Sequence, residues 1–143
     1  MRLKLHTDYA LRVLMYLGAN AGRTASIAEI ARVYAISENH LMKVVNSLAR
    51  AGLVAAKRGR GGGLQLGRRP EEINIGGVVR LFEGRLEMAD CALCRIVPAC
   101  RLTRVLGRAT EAFLAVLDEE TLADLLGDAH DLRRALDLET VDA

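Results

Sequence analysis

Residues 37–52, Ser-Glu-Asn-His-Leu-Met-Lys-Val-Val-Asn-Ser-Leu-Ala-Arg-Ala-Gly, carry the pattern that decides the fold. Ser37 is placed to cap a helix and Gly52 to end it. Aliphatic residues recur between them at i, i+3, i+4 and i+7, which predicts one buried helical face, formed by Leu41, Val44, Val45 and Leu48. The polar residues lie largely off that face, where they can donate to base edges and phosphates. The candidates for DNA contact in this segment are Ser37, Asn39, His40, Lys43 and Asn46.

A second helix signal precedes this segment. Ser26-Ile-Ala-Glu29 is a capping box, and it opens a shorter run of apolar residues at helical spacing. Two short capped helices with a tight connection predict a helix-turn-helix, although helical hairpins are common and the pattern alone is only moderately specific. A further helix is predicted from Thr7 to Asn20, with Thr7 as its cap and Asp8 in its first turn.

The segment that follows Gly52 has the alternation of a small β-hairpin. Residues 53–57 are compatible with a strand, residues 58–63 form a glycine-rich turn, and residues 64–66 alternate as a returning strand. Glycines let a backbone approach a phosphate or a narrow groove, and basic wing tips suit the minor groove. The wing candidates for DNA contact are Lys57, Arg58, Arg60, Gly61 and Gly62. A nucleotide-phosphate loop is the rival interpretation, but no helix follows the glycines directly and the sequence has no Gly-Lys-Ser/Thr there.

The net charge of +2 conceals two oppositely charged halves. Residues 1–70 contain 12 Lys/Arg and 3 Asp/Glu, whereas residues 71–143 contain 8 Lys/Arg and 15 Asp/Glu, so the halves carry +9 and −7. This asymmetry indicates a polyanion partner for the first half; the alternative is that both blocks are solvated surfaces. No apolar run approaches the roughly 20 residues that span a bilayer, and the N-terminus lacks a signal-peptide pattern. We expect a cytoplasmic protein without membrane contact, and no nucleophile–base pattern indicates an enzyme.

The last third of the chain is predicted to be a helical arm. Beyond Pro98, apolar residues repeat at intervals of three and four along one face: Leu102, Val105, Leu106, Ala109, Phe113, Val116 and Leu117. Such a stripe needs a partner, and a second copy of the chain is the simplest choice. The alternative is that the helix packs back onto the N-terminal domain, residues 1–84, here called the head. The predicted fold is mainly α. It has a winged helix-turn-helix DNA-binding domain with a small two-stranded β-wing (1–84), a cysteine loop (85–100), and a long C-terminal dimerisation helix with a polar tail (101–143).

All three cysteines lie within residues 91–100, at Cys91, Cys94 and Cys100, with the spacing Cys-x2-Cys-x5-Cys. In a cytoplasmic protein such a cluster more often binds metal than forms a disulfide. Three thiolates leave a structural zinc site incomplete, whereas an iron–sulfur cluster tolerates a fourth ligand that is not a thiolate. Three free thiols are the remaining alternative. The candidates for the fourth ligand are Asp8, His6, His40, Asp90 and Glu87.

Several motifs that together cover nearly the whole chain resemble one known family. They are Leu5-His-Thr-Asp-Tyr-Ala-Leu-Arg12, Ser37-Glu-Asn-His-Leu-Met-Lys-Val44, Arg50-Ala-Gly-Leu-Val54, Arg58-Gly-Arg-Gly-Gly-Gly63 and Pro98-Ala-Cys-Arg-Leu102. The combination resembles the Rrf-type family of iron–sulfur winged-helix transcriptional regulators. Within that family the chain is most similar to the nitric-oxide-sensing repressors, through Asn39-His40, residues 98–102 and Thr121-Leu-Ala-Asp-Leu125.

The resemblance implies a homodimeric repressor that binds a palindromic operator in double-stranded DNA and carries one iron–sulfur cluster per subunit. Cys91, Cys94 and Cys100 would be ligands, with Asp8 of the partner subunit as the fourth. The gap between Cys91 and Cys94 is shorter than in most family members, a departure that bears on the position of Cys91 and on the number of irons. A site of three thiolates and one carboxylate is compatible with four irons, so [4Fe-4S] is favoured, and [2Fe-2S] stays open. Nitric oxide would nitrosylate the cluster and release the repressor from promoters of nitric-oxide detoxification genes. The alternatives are an iron- or cluster-status-responsive regulator of the same fold and, in another class, an iron–sulfur electron-transfer module.

Overall fold

Seven α-helices and one two-stranded antiparallel sheet make up residues 2–137, the part of the chain that the computed structural model describes. The elements are α1 (Leu5–Ala19), α2 (Ile27–Tyr34), α3 (Glu38–Arg50), β1 (Val54–Lys57), β2 (Gly63–Leu66), α4 (Ile75–Glu83), α5 (Arg101–Asp118), α6 (Leu122–Leu126) and α7 (His130–Ala135). Short 3-10 turns at Pro70–Glu72 and Val97–Ala99 precede α4 and α5. The predicted mainly α fold with a small wing is confirmed. The part of the predicted polar tail at 138–143 lies outside the described residues.

Helix α1 is the centre of the hydrophobic core. It packs against α3, α4, α6 and β2. Its residues Ala10, Val13 and Leu14 have no exposed surface. At Gly18 a Cβ would stand 2.6 Å from Cδ1 of Leu126, so a side chain there would force the Leu126 side chain of α6 to move. The predicted helix-turn-helix, the wing and α6 are therefore assembled around one helix.

The predicted helix-turn-helix is formed by α2 and α3. The Ser26 hydroxyl oxygen accepts a hydrogen bond from the backbone N–H of Glu29 at 3.1 Å, so the predicted cap forms. The other half of the predicted capping box is wrong. The Glu29 carboxylate instead accepts from the Tyr16 hydroxyl at 2.6 Å and pairs with Arg23. Burial and this hydrogen bond raise the pKa of Tyr16 to about 12, so its phenol remains a donor that fixes α2 to α1.

Helices α4 and α5 are joined at the end of α5 farthest from the cysteines. The Arg80 guanidinium donates to both carboxylate oxygens of Asp118, at 2.5 and 2.7 Å. The Asn74 side chain donates to the backbone carbonyl of Asp118 at 2.7 Å. A Cβ at Gly76 would stand 1.9 Å from Asp118 Oδ1, so glycine makes room for this junction. One end of α5 is thus held to the head, while its other end begins at the cysteine loop.

Candidate nucleic-acid interface and cysteine loop

The outer side of α3 carries the polar residues that the sequence predicts as DNA contacts. Leu41 and Leu48 on the inner side have no exposed surface, so the helix presents its opposite side to solvent. All five predicted residues of this segment are exposed: Ser37, Asn39, His40, Lys43 and Asn46. Ser37 is the N-cap by backbone conformation, but its side chain makes no capping hydrogen bond, so that detail of the prediction is wrong. The arrangement is that of a recognition helix with small donors and one cation on its solvent side.

The wing is a hairpin of two four-residue strands joined by a five-residue tip. Strands β1 and β2 pair from Val54 opposite Leu66 to Lys57 opposite Gly63, and residues 58–62 form the tip. Lys57, Arg58, Arg60 and Gly61 are exposed, and Gly62 is half-buried. Glycine is required at position 61 by its φ of +69°. At Gly62 the reason is space, because a Cβ would stand 2.5 Å from the Lys57 carbonyl oxygen.

Among the residues that the structure describes, the cations of this surface have no carboxylate partners. Within residues 2–137, Lys43, Lys57, Arg58 and Arg60 form no ion pair. A phosphate therefore does not have to compete with an internal carboxylate for these side chains. Binding that depends on such cations weakens steeply with salt, because each neutralised phosphate releases counterions.

The cysteine loop is a succession of tight turns with a repeat of three residues. The amide of Cys94 donates to the carbonyl of Cys91 at 3.2 Å, and the amide of Val97 donates to that of Cys94 at 3.4 Å. The amide of Cys100 then donates to the carbonyl of Val97 at 3.2 Å. Side chains three residues apart eclipse each other in such turns, so the spacing 91, 94, 100 favours one side of the loop. These turns keep Cys91, Cys94 and Cys100 within one compact loop that leads into α5.

The three thiols suit an iron–sulfur cluster in number, state and exposure. All three are free; Cys94 is exposed, and Cys91 and Cys100 are half-buried. Cys100 immediately precedes α5, where the Thr103 amide and hydroxyl lower the pKa of its thiol and so favour the thiolate that binds metal. Within residues 2–137, no three His, Cys, Asp or Glu side chains converge on a point where a single metal ion would bind. A cluster distributes its ligands over several iron atoms, so its donors do not need to converge on one point.

Asp8 lies in the first turn of α1 and is held by Arg12, one turn along the same helix. The Arg12 guanidinium contacts both carboxylate oxygens of Asp8, at 3.0 and 2.9 Å. Arg12 also lies over the Tyr34 ring, 5.7 Å from its centre, which limits where the guanidinium can move. The Asp8 side chain is 41% exposed and is therefore accessible to a second molecule.

The other candidates for a fourth ligand are dispersed. His6 is exposed on α1, and His40 is exposed on the recognition helix. Asp90 accepts a hydrogen bond from the amide of Ala92 at 3.1 Å, which fixes the local turn. Glu87 pairs with Arg85 at 3.0 Å. The structure does not bring these side chains together with the three cysteines into one site for a metal ion.

A buried carboxylate, which no sequence pattern predicts, links α1 to the entrance of the cysteine loop. Glu83, the last residue of α4, is only 5% exposed. Its Oε1 accepts from the Thr7 hydroxyl at 2.5 Å and from the Lys4 amide at 2.6 Å. The Lys4 ammonium donates to the Glu83 carbonyl oxygen at 2.6 Å. Thr7 is therefore not the predicted helix cap, because α1 already begins at Leu5 and uses the Thr7 hydroxyl for this contact.

Replacing this carboxylate is expected to destabilise the protein. Glu83→Ala leaves the buried Thr7 hydroxyl without its acceptor and removes hydrogen bonds to a charged group, at a cost of about 1.5–3 kcal/mol. Equilibrium urea unfolding at fixed protein concentration measures that difference. Glu87→Ala, at an exposed position in the same segment, is the matched control and should change stability by less than about 0.5 kcal/mol. Equal stability of the two variants would contradict the assignment.

Helix α5 has an apolar stripe that the rest of the described chain covers only in part. None of its 18 residues is buried. Leu102, Val105 and Val116 are 57%, 55% and 63% exposed. The alternative that α5 packs its stripe onto the head holds only in part, because α5 contacts α4 and Leu117 packs against the core. A partly uncovered aliphatic face of this length indicates an interaction surface.

The described helices give no indication of membrane insertion. No helix within residues 2–137 is both long enough and apolar enough to cross a bilayer.

Comparison with known proteins places these features in a family context. Residues 3–128 match the Rrf2 family model, described as an iron-dependent transcriptional regulator. The chain is 47% identical over 142 residues to the HTH-type transcriptional regulator NsrR of Bacillus subtilis (strain 168), covering 95% of this chain and 97% of that protein.

Solved structures show the same fold. T. potens IscR aligns with a TM-score of 0.76 and 28% identity, over 93% of this chain and 91% of that chain. Staphylococcus aureus CymR aligns with a TM-score of 0.71 and 31% identity, over 87% of this chain and 97% of that chain. The winged-helix architecture with its long C-terminal helix is therefore shared along nearly the whole length.

Proposed function

This chain belongs to the Rrf2 family of iron-dependent transcriptional regulators, and we propose that it is a dimeric repressor that senses nitric oxide through an iron–sulfur cluster. The observation that carries the proposal is the group of three free thiols at the start of α5, a helix with a partly uncovered apolar face. In this proposal residues 1–84 bind DNA, residues 85–100 hold the cluster, and residues 101–143 contain the dimerisation helix.

DNA is bound by the recognition helix and the wing. Asn39, His40 and Lys43 present donors to base edges and phosphates in the major groove, with Ser37 and Asn46 beside them. The wing brings Arg58 and Arg60 to the flanking groove. The glycines Gly61 and Gly62 keep the tip slim enough for its backbone to approach DNA, and Lys57 adds a further cation. A palindromic operator follows if two such heads are related by a two-fold axis, about 34 Å apart.

Cys91, Cys94 and Cys100 are the proposed cluster ligands, with Asp8 of the partner subunit as the fourth. When bound, the cluster supplies iron atoms whose reaction with nitric oxide displaces protein ligands. A [4Fe-4S] cluster is favoured over [2Fe-2S]. The Arg12 guanidinium holds the Asp8 carboxylate by two contacts in the first turn of α1, where the Asp8 side chain is 41% exposed.

The proposed response to nitric oxide depends on the connection that the ligands make between α1, the cysteine loop and α5. Thr7 and Lys4 bind Glu83, so the first turn of α1 is fixed to the residue that leads into the cysteine loop. Release of the thiolates and of Asp8 would let the cysteine-loop end of α5 shift relative to this assembly, while the other end of α5 stays anchored to α4 through Asp118. The two heads then lose the separation that the operator requires. A dimer with two arrangements of similar energy needs only about 5.5 kcal/mol to pass from one to the other almost completely.

A second candidate is a regulator of the same fold that responds to iron or to cluster supply. It is favoured by the description of the family as iron-dependent and by the structural similarity to T. potens IscR. An electron-transfer module, the candidate from another class, leaves the unpaired cations of the wing without a role.

One experiment separates these functions. Cluster-loaded protein is incubated anaerobically with either nitric oxide or an iron chelator, and operator binding is followed by gel shift against excess random DNA. We expect nitric oxide to weaken operator binding within minutes, at least about 10-fold, a change of about 1.4 kcal/mol. The chelator should act only as slowly as the cluster is lost. Release by the chelator alone would favour the iron-status regulator, and equal affinity for operator and random DNA would favour the electron-transfer module.

A further inference from the structure

The tip of the wing, residues 58–62, has few internal contacts that would hold it in one conformation. Residues 58–62 contain a single backbone hydrogen bond, from the amide of Gly62 to the carbonyl of Gly59 at 2.9 Å. Gly59, Gly61 and Gly63 have φ values of +91°, +69° and +148°. Glycine loses more conformational freedom on ordering than any other residue, and an isolated two-stranded hairpin is marginally stable. Such a tip needs an external contact if it is to meet DNA in a fixed shape.

That contact comes from the segment just before α2. The Thr24 hydroxyl donates to the carbonyl oxygens of Gly61 and Gly62, at 2.8 and 3.2 Å. The next residue, Ala25, forms a β-bridge with Leu64, with N···O distances of 3.0 and 2.7 Å. A Cβ at Gly63 would stand 2.9 Å from the Ala25 carbonyl oxygen, so the segment lies directly against the returning strand. Two residues thus fix the wing from outside the hairpin.

The same segment is fixed to the helix-turn-helix. Ser26 caps α2 through the amide of Glu29. Arg23 donates to the Thr24 carbonyl at 3.1 Å and pairs with the Glu29 carboxylate. Residues 23–26 therefore join the wing tip to the first helix of the DNA-reading unit, and the Thr24 hydroxyl is the only side-chain group of that joint that reaches the tip within the described residues.

From this geometry we propose that Thr24 is a positioning residue for DNA binding, whose hydroxyl fixes the wing tip and so presents Arg58 and Arg60 to the flanking groove. The inference rests on the proposed DNA-binding function. Thr24 itself makes no contact with DNA in this account. Without the hydroxyl, the glycine-rich tip has to be ordered when DNA binds, and the cost appears as lost affinity.

Operator binding tests the proposal with matched variants. Thr24→Val keeps the shape of the side chain and removes the hydroxyl, and should weaken operator binding about 3- to 10-fold, the effect of one net hydrogen bond. Thr24→Ser keeps the hydroxyl and should bind like the wild type. The Ser variant and Thr24→Ala differ only by a hydroxyl, so this pair gives the same comparison if the Val variant does not fold. An unchanged affinity in both hydroxyl-free variants would overturn the proposal.

A double-mutant cycle distinguishes positioning from general stability. In an Arg58→Ala/Arg60→Ala background the wing no longer offers its tip cations, so loss of the Thr24 hydroxyl should have little further effect on affinity. The same 3- to 10-fold loss in that background would mean that Thr24 acts elsewhere in the fold.

Limited trypsin digestion tests the contact without DNA. Cleavage after Arg58 and Arg60 should become about 3- to 10-fold faster in the hydroxyl-free variants, because local opening of the tip becomes that much more frequent. Cleavage after Arg85, whose side chain is 88% exposed, is the internal reference and should not change. If the wild type binds no operator, the proposed function fails while this digestion still decides the role of Thr24. Unchanged cleavage after Arg58 and Arg60 would overturn that role.

Discussion

Cys94→Ala is expected to abolish both the visible absorbance of the cluster and specific operator binding. Cys94 is exposed and lies between the other two thiols in the succession of turns, so its loss leaves two thiolates for a cluster that takes four ligands. Operator affinity should fall at least about 100-fold, a change of about 2.7 kcal/mol, towards the level of non-specific binding. Iron and sulfide analysis of the anaerobic wild type decides at the same time between [4Fe-4S] and [2Fe-2S].

The control for this variant is the adjacent residue. Leu93 is 97% exposed and has no ligand atom in its side chain, so Leu93→Ala should keep the cluster and the operator affinity. Comparison of the two variants separates loss of a ligand from disturbance of the loop. A Cys94→Ala protein that still binds the operator and still responds to nitric oxide would show that the cluster is not the switch.

Val105→Asp is expected to convert the protein from a dimer to a monomer. Val105 is 55% exposed in the middle of the apolar stripe of α5. In a two-fold dimer that uses this stripe, the substitution places an unpaired carboxylate in the interface twice. An unpaired buried charge costs about 3–5 kcal/mol, so dimerisation should weaken at least about 100-fold. Analytical ultracentrifugation measures the dimer, and operator binding should be lost with it because two heads are needed.

Ala115→Asp provides the matched control on the same helix. Ala115 is exposed and lies on the opposite side of α5 from the stripe, so the added charge stays in solvent. This variant should remain a dimer with the operator affinity of the wild type. If Val105→Asp also remains a dimer, the stripe is not the dimer interface.

The fold was predictable because its strongest signals are local. The aliphatic repeat at Leu41, Val44, Val45 and Leu48 predicted the buried side of α3, and all four side chains are buried. The glycine-rich turn between two short strands predicted the wing, and the strands pair there as Val54–Lys57 and Gly63–Leu66. Spacing and turn chemistry act over a few residues, so a single sequence is sufficient to reveal them.

The contacts that join distant segments were not predictable. Thr7 was expected to cap a helix, but it donates to Glu83, 76 residues away in sequence. Glu29 was expected to complete a capping box, but it binds Tyr16 and Arg23. In both cases a tertiary partner competes with the local one, and only the packing of the core determines which partner is within reach.

In the candidate site, too, local features could be predicted from the sequence and long-range contacts could not. The cysteine spacing pointed to a cluster, and the turns between Cys91 and Cys100 keep the three cysteines within one compact loop. The Arg12–Asp8 pair is a spacing of four on one helix and could have been inferred. The contact of Thr24 with the wing tip could not have been inferred. Thr24 is separated from its partners Gly61 and Gly62 by 37 and 38 positions in the sequence.

The most direct test of the switch is an anaerobic titration of the cluster-loaded dimer with nitric oxide. Cluster absorbance and the fluorescence anisotropy of a labelled operator are recorded on the same sample. We expect the fraction of operator released to follow the fraction of cluster absorbance lost, and the Leu93→Ala protein to behave like the wild type. Complete loss of the cluster absorbance with the operator still fully bound would contradict the proposal that residues 91–100 control DNA binding.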